Sequence, residues 1–254
     1  MHQSIAHLKD QPTLSADPPA PTFARGFSLV EMAVVLVIVA LLLGGLLLPM
    51  TAQDDMRRTA ETRATLANVQ EALLGFAVVN GRLPRPATAA TDGAENPANC
   101  ASDAACSGFI PWATLGIEKQ DAWGKLIRYS VTPAYANSSI TLASIANRTV
   151  RTRDNAGTAV YLAGQATCTT PGACVAAVVF SHGKLRWGTT ESGTALPDGS
   201  TTNADEDANH TGPTNYFQRT PATATTGGGE FDDMVIWLPT NILINRMIAA
   251  GRLL

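Results

Sequence analysis

The spacing of apolar residues divides the chain into unlike stretches. From Phe27 to Leu48 the order is F-S-L-V-E-M-A-V-V-L-V-I-V-A-L-L-L-G-G-L-L-L, apolar on every side of a helix and interrupted by one acid, Glu31. Such a run is long enough to cross a bilayer core, which takes about 20 helical residues. Gly44 and Gly45 weaken the helix near its end, and Pro49 removes one helical hydrogen bond, so a kink is expected there. Beyond it Met56, Leu66, Val69, Leu73 and Phe76 recur at mostly three- and four-residue steps, with Arg57, Arg58, Glu61, Arg63 and Glu71 between them. This pattern predicts an amphipathic continuation that stops near Val79-Asn80-Gly81, where Asn and Gly supply a terminus. At 1.5 Å per residue a helix from Phe27 to Val79 would be ~80 Å long, beyond the needs of one bilayer.

After Leu83-Pro84-Arg85-Pro86 the helical period is lost. Residues 81–125 are largely polar or small and read as a connecting region. Strand-like runs follow at Leu126–Thr132, Ala159–Leu162, Cys174–Phe180 and Met234–Leu238, rich in β-branched and aromatic residues and separated by turn formers. The tail Thr240–Leu254 suits a short helix with Ile244, Met247 and Ile248 on one side. The pattern predicts an α+β fold in which an antiparallel sheet, within 126–254, packs on the amphipathic half of the long helix.

Composition sharpens this picture at two points. Charged residues are 15 % and the net charge is −3, so no cluster of Lys and Arg marks a nucleic-acid surface. The four cysteines, Cys100, Cys106, Cys168 and Cys174, form two pairs of identical C-x5-C spacing. Three connectivities are open from sequence alone; local pairing is favoured, because each bridge would close a small loop. Free thiols and a metal are the alternatives, although zinc sites usually space thiolates two to four residues apart. Bridges would place this part of the chain in an oxidising compartment.

The junction before the apolar run is the most specific feature. Arg25-Gly26-Phe27-Ser28-Leu29-Val30-Glu31-Met32 resembles the processing signature of type IV prepilins and type II secretion pseudopilins. The resemblance implies cleavage between Gly26 and Phe27 by a prepilin peptidase, N-methylation of Phe27, and a role in assembly for Glu31. It implies a single-pass protein of the bacterial inner membrane whose C-terminal domain lies in the periplasm and later in a filament. Its partners would be other pilin or pseudopilin subunits, the peptidase/methyltransferase and an inner-membrane assembly platform. The domains then read as leader 1–26, transmembrane and assembly helix 27–50, stalk helix 51–80, connecting region 81–125 and sheet domain 126–254. The leader departs from the family in being long, proline-containing and weakly basic.

Simpler readings explain less. A secretory signal peptide needs a small-residue cleavage site after the run, which Met50-Thr51-Ala52 fits poorly. A plain anchor accounts for the run but not for Glu31, whose charge has no basic partner within the segment. Cleavage would free an α-amine that can approach Glu31 of another subunit. Asp121-Ala122-Trp123-Gly124 also resembles the element that opens the sheet in major pseudopilins, and 178–184 and 230–237 resemble pieces of pseudopilin and minor-pilin domains.

The sequence carries no sign of an enzyme. His2 and His7 lie in the leader, and neither His182 nor His210 has the spacing of a metal or nucleophile site. Ser181 beside His182 is not a triad, since adjacency in sequence does not place a base against a nucleophile. Calcium is the one cofactor to carry forward. Asp198, Asp205, Glu206 and Asp207 lie in a glycine- and threonine-rich stretch with Asp232 and Asp233 at its far end. Hard cations take six to eight oxygens, and Asp205, Asp207, Asp232 and Asp233 are the candidate ligands. A solvated acidic loop is the favoured alternative to that site. Within the family resemblance, a filament-tip adhesin or DNA-uptake module is the alternative to a structural subunit.

Overall fold

The computed structural model describes residues 26–185 and 187–253, with side chains given for all of these except 43–50. The chain forms two units, Met1–Thr51 and Ala52–Leu254. One helix, α1 (Leu29–Asn80), begins in the first and ends in the second. It is helical through Pro49.

In the first unit the apolar side chains from Leu29 to Leu42 have no interior to enter. Leu29 is 87 % exposed, Leu36 63 % and Leu41 72 %. The predicted transmembrane segment 27–50 lies partly outside the described side chains. Among the described residues no helix is long and apolar enough to cross a membrane.

In the second unit α1 behaves oppositely. Leu66, Val69, Leu73, Leu74 and Ala77 are buried, a stripe at helical spacing. The helix stops after Asn80: Gly81 adopts a left-handed φ of 72° and its N–H reaches the carbonyl of Ala77 at 2.8 Å, a turn that a side chain would strain.

The stripe packs on a four-stranded antiparallel sheet of order β1 (Ser107–Phe109), β2 (Arg128–Val131), β5 (Val175–Ser181) and β9 (Met234–Pro239). Two short helices, α2 (Trp112–Leu115) and α3 (Pro133–Asn137), flank β2 in sequence. Every residue of β5 is buried, because both faces of the sheet are covered. Ala177 and Val179 join the core beneath α1, while Val178 and Phe180 join a second cluster with Val150 and Tyr216. That second cluster is closed by another sheet, ordered β4 (Ala159–Ala163), β3 (Thr149–Arg153), β8 (Asn215–Phe217). The sequence reading places one antiparallel sheet here; the strands instead divide between two sheets, and β3 pairs with β8 in parallel. β3 is mostly polar and β8 is only three residues long, which hides them from a search for apolar runs. A two-stranded ribbon, β6 (Gly188–Thr189) with β7 (Ala195–Leu196), the helix α4 (Ala204–Thr211) and the C-terminal helix α5 (Thr240–Ala249) complete the unit.

β1 shows that residues 81–125 do more than connect, since it extends the four-stranded sheet by pairing with β2. Cys100–Cys106 and Cys168–Cys174 are disulfides, with Cα atoms 5.1 and 5.7 Å apart. The first closes a loop that delivers Asp103 to Arg148, a fully buried guanidinium. Arg148 donates to Asp103 Oδ1 at 2.7 Å, Ser130 Oγ at 2.8 Å and the carbonyl of Val131 at 2.5 Å. Such a cation is tolerated only because its donors are matched.

Candidate functional sites

At the N-terminal site the chain leaves Gly26, Phe27 and Ser28 outside the helix. Phe27 is 78 % exposed, and a side chain added at Gly26 would meet nothing within 4 Å. No contact among the described residues therefore demands glycine at position 26. Ser28 begins the helix: its Oγ accepts the N–H of Glu31 at 3.1 Å, and its carbonyl accepts the N–H of Met32. This is half of a capping box, in which a serine and a glutamate three residues later bracket the first turn. Glu31 is the acid of that turn, where the helix dipole favours negative charge. The sequence reading counts Ser28 in the signature but not as a helix cap, although Ser-x-x-Glu before an apolar run was the signal.

The second site lies between β5, β9 and α4. The acidic stretch read as a loop is in fact helical from Ala204 to Thr211, its first turn holding Asp205, Glu206 and Asp207. Acids in a first turn suit the dipole, and a loop reading overlooks this. The turn sends its carboxylates to different places. Asp205 is buried against two guanidiniums, at 2.6 Å from Arg153 Nη2 and 2.8 Å from Arg219 Nε. Gly228 allows this approach; a Cβ there would sit 2.2 Å from both Arg153 Nε and Asp205 Oδ2. Asp207 is half-exposed and does not join the others.

Glu206 instead meets Asp232 and Asp233, with one ligand oxygen of each lying within 4.8 Å of the others. Thus the structure brings together two of the four proposed metal ligands, Asp232 and Asp233, adds Glu206, and separates Asp205 and Asp207. Each carboxylate is partly held. Glu206 Oε1 accepts the N–H of Asp232 at 2.7 Å, and Asp232 Oδ2 accepts the N–H groups of Lys184 and Leu185 at 2.6 and 2.7 Å. Asp233 accepts from Asn209 Nδ2 at 2.8 Å and lies 3.2 Å from Nδ1 of His182. Asp232 Oδ1 is buried and has no partner.

Burial without enough positive charge pushes these acids up. Glu206 rises to about 8 through desolvation and then the neighbouring Asp233, and Asp233 to about 7 through desolvation; Asp232 rises for the same first reason. Lys125 is the buried ammonium nearby, and it spends its hydrogen bonds on the carbonyls of His182 and Leu185. Desolvation lowers His182 to about 3 and His210 to about 4, so both rings are neutral near pH 7 and add no cation. Three close oxygens, one of the cluster's oxygens unpartnered, and a local deficit of positive charge fit a hard divalent cation.

The remaining candidate chemistry is structural. Ser181 Oγ donates to Asp121 Oδ2 at 2.6 Å and is buried, away from His182 Nδ1, which faces Asp233. Asp121 Oδ1 also accepts the N–H groups of Trp123 and Lys125, fixing the turn that leads into β2.

A family model described as the Prokaryotic N-terminal methylation motif matches residues 23–47. Neither a curated protein nor a solved structure matches the chain. Through that motif, laid over the exposed Gly26–Phe27 junction and the start of α1, the chain is type IV prepilin- or pseudopilin-like.

Proposed function

We propose that this chain is a structural subunit of a type IV pilus or a type II secretion pseudopilus. It is cut between Gly26 and Phe27, methylated at Phe27, held in the bacterial inner membrane by 27–50, and assembled through that helix. The match of the methylation motif to residues 23–47 carries the reading. Two physical features support it. The scissile junction is non-helical and exposed, as a peptidase requires, and the helix that follows is apolar all round with its side chains unburied, which suits lipid or neighbouring helices. The two disulfides agree with a domain on the periplasmic side.

Glu31 in this reading pairs with the new α-amine of another subunit, relieving the burial cost of both charges. Glu31→Ala is expected to leave the amount of protein in the membrane unchanged and to reduce its recovery in sheared filaments at least tenfold. Equal recovery would remove Glu31 from assembly.

The cation reading belongs to the same proposal: Glu206, Asp232 and Asp233 hold calcium and thereby lock α4 to the turn before β9. Calcium at one hundred times its dissociation constant would add about 2.7 kcal/mol of stability. A melting temperature unmoved between chelator and millimolar calcium would reject it.

A further inference from the structure

Cys100–Cys106 and Cys168–Cys174 have the same sequence separation, so each bridge restricts the unfolded chain to the same extent. Their loops do different things in the folded chain. Thr169, Thr170, Pro171 and Gly172 of the second are uncharged and exposed. The first loop holds one inward residue, Asp103, among the exposed Ala101, Ser102, Ala104 and Ala105.

Asp103 is the one carboxylate that pairs with Arg148 among the described residues, and Asn147 Nδ2 donates to the same oxygen at 2.9 Å. Arg148 sits where the two sheets meet. Its carbonyl accepts the N–H of Val175 in β5, its side chain donates to Ser130 and Val131 of β2, and the next residue opens β3. Moved off Arg148, Asp103 would be hydrated, because its side chain is already 34 % exposed. The guanidinium is wholly buried and would keep a charge that nothing offsets, which is the costly way to break such a pair.

The ends of the loop are tied to different elements. The carbonyl of Cys106 accepts the N–H of Val131 in β2 at 2.9 Å. Cys100 is held by Asn137 of α3, which accepts its N–H at 3.2 Å and donates to its carbonyl at 2.9 Å. The bridge joins these two anchors and so fixes the short arc that carries Asp103. Both cysteines are buried, which shields the bond from exchange once the loop has docked.

We propose that Cys100–Cys106 is an oxidation-gated latch: forming it sets Asp103 on Arg148 and lets the two sheets close. The second unit is then completed only where thiols are oxidised. As the S–S bond forms, the two thiols give up two protons and two electrons, and a disulfide of an exchange partner takes them up to become two thiols. The latch concerns the second unit alone and does not rest on the filament reading.

The test uses the full chain in detergent micelles and follows urea unfolding by fluorescence, since Trp112, Trp123, Trp187 and Trp237 all lie in the second unit. Cys100→Ala with Cys106→Ala should lower the ratio of folded to unfolded chain at least about tenfold more than Cys168→Ala with Cys174→Ala. A smaller difference overturns the proposal. With Asp103→Asn added to both, the two losses should agree within threefold, because the bridge no longer positions a charge. A larger difference there also overturns the proposal, since it would assign the loss to packing of the buried sulfurs. If the chain without the first bridge does not fold, adding Arg148→Met should restore a cooperative transition, because no buried charge then needs a partner. A chain that stays unfolded overturns the proposal.

Discussion

The two units leave opposite things unsatisfied. Residues Leu29–Leu42 expose apolar side chains around a whole helix, and the same helix from Leu66 to Ala77 buries its apolar stripe within the chain, Met56 of the predicted stripe staying exposed. The second unit has its hydrophobic core complete and is short instead of positive charge, around Glu206, Asp232 and Asp233. The proposed function would supply what each unit lacks: an apolar medium or neighbouring helices for the first, a cation for the second. A smaller contrast repeats the lesson inside one helical turn. Asp205 is matched by Arg153 and Arg219, while the next residue, Glu206, shares its space with two further acids.

The largest effect should come from the junction. Gly26→Leu is expected to keep the leader attached to nearly all of the protein and to abolish its appearance in filaments, read by mass and by shearing. Asp205→Asn strips Arg153 and Arg219, both half-buried, of the charge of their buried partner and should cost about 2–4 kcal/mol in denaturant melts. Leu73→Ala, inside the stripe, should cost about 2–5 kcal/mol. Asp233→Asn should have the opposite sign to Asp205→Asn in chelator, raising stability by relieving repulsion, and should lose the gain that calcium gives the parent. If both substitutions destabilise alike without calcium, the contrast between the two acidic centres fails.

The pH response separates the same groups. Glu206 and Asp233 have folded pKa values of about 8 and about 7, above their ordinary values of 4.5 and 3.8. The folded state therefore holds more protons, and stability falls as pH rises through 7 and 8. His182 and His210, lowered to about 3 and about 4 from 6.5, act the other way and remove stability as pH falls below 6.5. Between pH 6.5 and 8 the carboxylates act alone, so melting in chelator should drop across that window and calcium should flatten the drop. The smallest effect is expected from Leu36→Ala, below about 0.5 kcal/mol on the melting of the second unit, since Leu36 is 63 % exposed.

Much of this was legible because it is periodic. The helix terminus at Gly81 and the strands β2, β4, β5 and β9 follow from apolar spacing and turn residues, with boundaries shifted by a residue or two. The pairing of Cys100 with Cys106 and Cys168 with Cys174 was favoured by loop closure and is what the chain adopts. What stayed hidden depends on distant partners. β3 is too polar and β8 too short to announce a sheet, and no spacing reveals that Arg148 is buried against Asp103. Glu206 and Asp205 are neighbours in sequence, and only the fold sends one to two arginines and the other to Asp232 and Asp233. No spacing marks His182, and only the fold buries it beside Asp233, directly after the end of β5.

The most direct measurement is the intact and N-terminal mass of the protein taken from its own cell envelope. The account predicts a chain that begins at methylated Phe27. A chain that still begins at Met1, in a host with an active prepilin peptidase, would contradict processing and with it the filament function.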